Sequence, residues 1–353
     1  MKFQEETNDA IALLQQLIAI SSVSKEENKA ADFLERFIEM NGYVVSRKNN
    51  NVWLLCPGFD SSRPTILLNS HIDTVKPVAG WIHNPLSPSI EGRKLFGLGS
   101  NDAGASVVSL LHAFFYLTKQ QQHYNLIFAA SSEEEISGEN GMESLLNELP
   151  KIDFAIVGEP TGMNLAVAEK GLMVLDCTVH GKAGHAARNE GENAIYKALS
   201  DIEWFRTFEF DKKSDLLGPV KMTVTQINAG IQHNVIPDMC RFVVDVRSNE
   251  FYSNEEVLNE IRKQVSCEVQ PRSTRLSSTA TPLNHPVIKR GRELNRSVFG
   301  SPTLSDQALM PFQSMKMGPG DSSRSHTADE YILLDEIGEA IEIYVQLLDG
   351  LKL

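Results

Sequence analysis

Apolar positions recur along the chain in two rhythms. Over residues 8–20, "NDAIALLQQLIAI", they return every three or four residues and place Ile11, Leu14 and Ile18 on one stripe, which predicts a helix with Thr7 or Asn8 as its cap. "NKAADFLERFIEMNGY" repeats the pattern and stops at Asn41-Gly42. Short, nearly continuous apolar runs then follow: "NVWLLCPG", "TILLNSHID", "YNLIFAASSEEE" and "FAIVGEPT". Between the second and third lies "SVVSLLHAFFYLTKQ", apolar at helical spacing. Strands alternating with helices predict an α/β fold, with a mostly parallel mixed sheet flanked by helices.

After about residue 172 the rhythm becomes strict alternation, in "LMVLDCTVHG", "VKMTVTQINAG" and "MCRFVVDVRSN". That is the pattern of antiparallel strands with one wet face. Helix candidates "ENAIYKALSDIEWF" and "NEEVLNEIRKQV" lie among them, so residues 172–280 are expected to form an inserted α+β domain. The polar stretch 270–286 returns the chain to the first domain, which takes residues 1–171 and 281–353. The tail carries a predicted helix in "PVIKRGRELNRSVFG", a Gly-Pro loop and a final amphipathic helix.

A chain of 353 residues exceeds what one core usually serves, in keeping with two domains. Its net charge of −13 argues against a nucleic-acid or anionic-membrane partner. Cys56, Cys177, Cys240 and Cys267 are scattered, which argues against a disulfide framework or a thiolate metal site. The N-terminus does not read as a secretory leader, and no run approaches a membrane span of roughly 18 apolar residues. A cytoplasmic protein is expected.

Candidate chemistry gathers where predicted strands end. His71 and Asp73 are separated by one residue, so in an extended strand both face the same way, and a metal-binding histidine usually gives its other ring N–H to a carboxylate. Asp102 follows glycines and precedes a helix, Glu159 leaves an apolar strand, and His326 sits in a Gly- and Ser-rich loop. Taken singly, each also fits a turn, a helix cap or a wet surface. Together, two histidines and several carboxylates without a thiolate suit zinc or another borderline divalent metal, and a shared aspartate can hold two ions about 3.5–4 Å apart. Glu134 and Glu135 meet two needs of such a site, one carboxylate as ligand and one free to take a proton from bound water.

Seven stretches in order, "SHIDTV", "LFGLGSNDAG", "SEEEISGENGM", "VGEPT", "GKAGHAARNEGENAI", "NVIPDMCRFVVDVR" and "MGPGDSSRSHTADEY", resemble the M20 metallohydrolases. That family includes acetylornithine deacetylase, succinyl-diaminopimelate desuccinylase, aminoacylase and dipeptidase members. The resemblance implies two zinc ions, with cobalt able to replace them in vitro. His71, Asp102 and Glu159 would hold one ion and Asp102, Glu135 and His326 the other. It makes Glu134 the general base, places Glu133 where the family usually has aspartate, and has Asp73 orient His71. Residues 172–280 correspond to the family's lid and dimer domain, so a homodimer is implied. His185 matches the lid histidine that supports the oxyanion, and Asn234 and Arg247 match substrate contacts. The chain departs from the family pattern at residues that are not presumed ligands: Leu98 where arginine is common, Ala103 after the bridging aspartate, and "AAR" after His185.

The implied reaction is hydrolysis of an N-acyl amino acid, with water as nucleophile. Arg324 lies two residues before His326, where a guanidinium could fork onto a substrate carboxylate. "GDSSRSHT" resembles the acetylornithine and acetyl-lysine deacetylase branch, which implies N-acetylornithine or N-succinylornithine as substrate, in arginine biosynthesis. Succinyl-diaminopimelate, a dipeptide or another N-acyl amino acid is the alternative within the family. A metal-binding protein without catalysis is the alternative outside it, and a two-metal phosphatase is disfavoured for want of a basic phosphate cradle.

Overall fold

The computed structural model describes residues 3–353 apart from Asn189. The chain forms two compact units. One comprises Met1–Val167, Thr281–Phe299 and Ser305–Leu353, the other Ala168–Ala280 and Gly300–Leu304.

The first unit is built on a mixed sheet whose centre is parallel. Strand Thr65–His71 lies between Asn125–Ser131 and Phe154–Val157, parallel to both, and Ser314–Lys316 runs parallel to Phe154–Val157. On the other side Asn51–Leu55 pairs antiparallel to Asn125–Ser131, and Ser46–Lys48 forms the edge beyond it. The continuous apolar runs have a simple cause, since both faces are covered. Ile66, Leu68, Leu126, Phe128, Phe154 and Ile156 pack into the core shared with helices Gln4–Ile18, Ala105–Leu117 and Leu334–Leu348. Their neighbours Leu67, Ile127, Ala129, Ala155 and Val157 face the opposite core, with Met142, Leu145 and Met310. The period-2 alternation of strand side chains sorts adjacent residues between the two cores.

The second unit is an antiparallel sheet in the order Lys221–Ala229, Met239–Arg247, Met173–His180, Glu268–Pro271. Helices Ala194–Thr207 and Asn254–Gln264 carry residues of its core, which includes Leu175, Phe205, Phe242, Val257 and Ile261. Ser253 and Glu256 cap the second helix reciprocally. One expected element is shorter than predicted: the tail helix is Pro286–Glu293, Asn295 takes a positive φ of 58°, and Val298–Ser301 is a strand. A left-handed residue cannot continue a helix, and Val298 beyond it suits a strand. Among the described residues no helix is long and apolar enough to cross a membrane.

Candidate metal centre

Strand Thr65–His71 ends at a fully buried imidazole that shares its face with Leu67 and Asn69. His71 Nδ1–H donates to the carbonyl oxygen of Asp73 at 2.9 Å, leaving Nε2 for a cation. The Asp73 carboxylate also faces this nitrogen, with Oδ1 3.4 Å from Nδ1, so Asp73 orients the ring through both its main chain and its side chain. The same carboxylate accepts from the N–H of Glu134 (3.0 Å), the N–H of Glu135 (3.1 Å) and Ser24 Oγ (2.7 Å). One residue therefore ties the histidine to the glutamate turn.

That turn begins where strand Asn125–Ser131 runs out. Glu133 and Ser137 both adopt left-handed backbone, at φ 57° and 47°, and bracket the single turn Glu134–Ile136. The reversal lets adjacent glutamates diverge. Glu133 turns away: its N–H donates to Glu27 and its carboxylate accepts from Asn140 Nδ2 at 3.1 Å. Glu134 Oε2 comes within 3.9 Å of His71 Nε2, and Glu135 Oε2 lies 3.0 Å from His326 Nε2.

Asp102 joins the two sides. Its Oδ1 is 3.2 Å from His71 Nε2 and its Oδ2 is 3.6 Å from His326 Nε2. Glu159 Oε1 lies 3.9 Å from His71 Nε2 and, though buried, has no hydrogen-bond partner among the described residues. Two groups of donor atoms, each spanning no more than 4.8 Å, result: His71, Glu134 and Glu159, and His71, Asp102 and Glu135. A buried orphan oxygen among convergent acids and imidazoles is the chemistry of a cation site.

The electrostatics follow from burying this much acid. Burial is the largest influence on Glu134 and, with the neighbouring carboxylates Glu159, Asp306 and Glu135, holds its pKa well above the usual range despite His71. Burial likewise pushes Glu159 to about 8, although His71 and Lys316 oppose it. Burial would lower His71, but hydrogen bonds to Asp102 and Asp73 and the fields of Glu134 and Glu159 win, so its pKa is raised well above 6.5. Asp102 goes the other way: burial is the largest single influence and raises it, but the hydrogen bond and charge of His71, a bond from Ser325 and the field of His326 together lower it.

Arg324 does not present a free fork. Its Nη1 and Nη2 donate to Glu336 at 2.7 and 3.1 Å, and the guanidinium lies over the Tyr331 ring at 4.8 Å. Glu336 thus fills the place expected for a substrate carboxylate. His185, Asn234 and Arg247 belong to the second unit. His185 sits in a short strand opposite Val235, beside Asn234, whose carbonyl accepts from Ala186 N–H. Arg247 is forked onto Asp245.

Two buried carboxylates escaped the sequence reading. Glu330 accepts from three main-chain N–H groups of the Asp102 turn, and burial raises its pKa to about 7. Asp306 accepts from Ser131 Oγ and Asn69 Nδ2, at 2.5 and 3.0 Å, beneath the strand ends. Neither stands in a recognisable local pattern, and their partners are more than 170 residues away. The one available signal was that Glu330 lies inside the "SHTADEY" stretch.

The profile described as Peptidase family M20/M25/M40 matches residues 67–350. The succinyl-diaminopimelate desuccinylase of Orientia tsutsugamushi (strain Ikeda) is 25% identical, covering 96% of this chain and 95% of the relative. That of Corynebacterium glutamicum is 27% identical, covering 96% of each. Among solved structures, the Bacillus cereus aminopeptidase PepT superposes with a TM-score of 0.78 at 17% identity, over 97% of this chain and 98% of that one. The Bacillus subtilis protein YXEP, described as a dinuclear metal binding peptidase, gives 0.74 at 15% identity over 98% of each. With a family match across most of its length, and an α/β unit and an antiparallel unit of the family's kind, the chain belongs to peptidase family M20/M25/M40, hydrolases of amide bonds.

Proposed function

We propose that the protein is a two-metal deacylase that hydrolyses the amide of an N-acylated amino acid. The observation that carries this is the convergence of His71, Glu134 and Glu159 on one side and His71, Asp102 and Glu135, with His326 beside the last two, on the other. His71, Asp102 and Glu159 would hold one ion and Asp102, Glu135 and His326 the other, zinc being the metal that imidazole and carboxylate donors suit. When bound, such ions polarise the acyl oxygen and lower the pKa of water toward about 7. Glu134, buried and raised in pKa, takes the proton from the attacking water and returns it to the leaving amine. Asp73 fixes Glu134 and Glu135 through their N–H groups while its carbonyl holds the His71 tautomer. His185 stabilises the oxyanion and Asn234 and Arg247 contact substrate, roles supported by motif resemblance.

The substrate reading is N-acetylornithine or N-succinylornithine, in arginine biosynthesis, supported by the "GDSSRSHT" loop. Succinyl-diaminopimelate, in lysine biosynthesis, is the second reading, favoured by the names of the curated relatives, which also weight succinyl over acetyl. We read the protein as cytoplasmic and homodimeric. Supporting the dimer, Lys221–Ala229 is an edge strand, exposed along most of its length, whose second edge could pair with another copy. Zinc- or cobalt-loaded protein assayed against acetylornithine, succinylornithine, succinyl-diaminopimelate and dipeptides separates the readings. Dominant dipeptide turnover would end the deacylase proposal.

A further inference from the structure

The turn that carries Asp102 and the loop that carries His326 are bolted together twice. From the loop, Glu330, 2% exposed, sends its carboxylate into the turn. Its Oε2 accepts from the N–H of Gly99 (3.0 Å), and its Oε1 from those of Asn101 (2.8 Å) and Asp102 (2.9 Å). From the turn, the fully buried Asn101 reaches back. Its Nδ2 donates to the Asp321 carbonyl (3.1 Å) and Ser325 Oγ (3.2 Å), and its Oδ1 accepts from the Asp321 N–H (3.1 Å). Gly320, at φ +88°, makes room, since a Cβ there would stand 2.2 Å from Asn101 Oδ1.

We propose that Glu330 and Asn101 are positioning residues for the second metal ion, setting the separation of Asp102 from His326. The inference rests on the two-metal reading above. The two ions depend on different parts of the fold. His71 ends a buried strand and Glu159 closely follows another, so the sheet itself carries two ligands of the first ion. The second ion has only loop and turn ligands: Asp102, Glu135 in its single turn, and His326, 53% exposed with φ +57°. Main-chain pairing of Lys94–Phe96 with Tyr331–Leu333 and the Gly97 N–H to Glu330 carbonyl bond join the two segments on one flank, and the Glu330 and Asn101 side chains join them at the ligands themselves. A buried carboxylate satisfied only by main-chain N–H groups is costly to keep, and a glutamine in its place aims an N–H₂ at an N–H.

The test is a cobalt titration of metal-stripped protein, read by calorimetry and by the visible spectrum, with circular dichroism as the folding check. Wild type takes up two ions per chain. Glu330→Gln is expected to keep the first affinity within about threefold and to weaken the second about 10–100-fold, the usual effect of removing a group that orients a ligand. Excess metal then restores kcat. Asn101→Ala shifts the same step and carries the test if Glu330→Gln does not fold. If both variants bind the second ion as tightly as wild type, or lose both ions equally, the inference is overturned while the two-metal reading stands. If wild type takes up one ion or none, the two-metal reading falls and this inference with it.

Discussion

Asp73 and Arg324 show how much a residue's role depends on what reaches it. The Asp73 carboxylate takes two N–H groups from consecutive glutamates and a hydroxyl from Ser24. Asp73→Asn keeps the volume but turns one acceptor into a donor facing an amide N–H. We expect a metal affinity loss of about 10–100-fold, measured by chelator competition, with a parallel fall in kcat/KM. Unchanged binding would mean that the glutamate turn holds itself. Arg324, forked onto Glu336, predicts the opposite of a substrate clamp: Arg324→Lys should cost about 1–3 kcal/mol of stability, the worth of hydrogen bonds between charged groups, and leave KM nearly unchanged. A large rise in KM without loss of stability would restore the clamp. The acids at strand ends were legible only in combination, since each alone also fits a turn, a helix cap or a wet surface. The main-chain role of Asp73, and the whole of Glu330 and Asp306, were not, because a carboxylate that accepts distant N–H groups leaves no local pattern.

Elements were read more easily than roles, and for a physical reason. Burying both sheet faces leaves continuous apolar runs, while one wet face leaves alternation, so the two textures could be told apart without knowing any contact. What the pattern could not supply was the turn that parts the three glutamates. Its shape depends on left-handed Glu133 and Ser137 and on Gly138, where a Cβ would stand 1.9 Å from Glu133 Oε2. Gly138→Ala therefore forces the Glu133 side chain out of its place over the turn. Activity should fall at least tenfold while the unfolding transition stays cooperative, a comparison made by assay and by thermal unfolding. Wild-type activity in that variant would show that the packing of Glu133 does not set the turn.

For the molecule as a whole, the acidic cluster makes stability depend on pH and metal together. In the metal-free fold Glu159 is raised to about 8 and Glu134 above its ordinary range, so both hold protons that the unfolded chain releases near 4.5. Such groups stabilise the fold below about 4.5 and lose that contribution as pH rises toward about 8. His71, raised above 6.5, acts in the same direction over the upper part of that range. Asp73 and Asp102, both lowered, act at the other end and lose their contribution only as pH falls below about 4. Metal-stripped protein should therefore melt at a lower temperature at pH 8 than at pH 5, and added zinc should raise the melting temperature most at pH 8, with proton release on binding. A melting temperature that climbs with pH in the stripped protein would contradict this balance.

The central claim, that Glu134 moves the proton while its neighbour Glu135 holds metal, is tested most directly by Glu134→Gln assayed for turnover and bound metal together. The variant should keep two ions per chain, as in wild type, with turnover reduced by about 10²–10⁴-fold, the usual contribution of a general base. Loss of an ion with that substitution, or turnover near the wild-type rate, would contradict it.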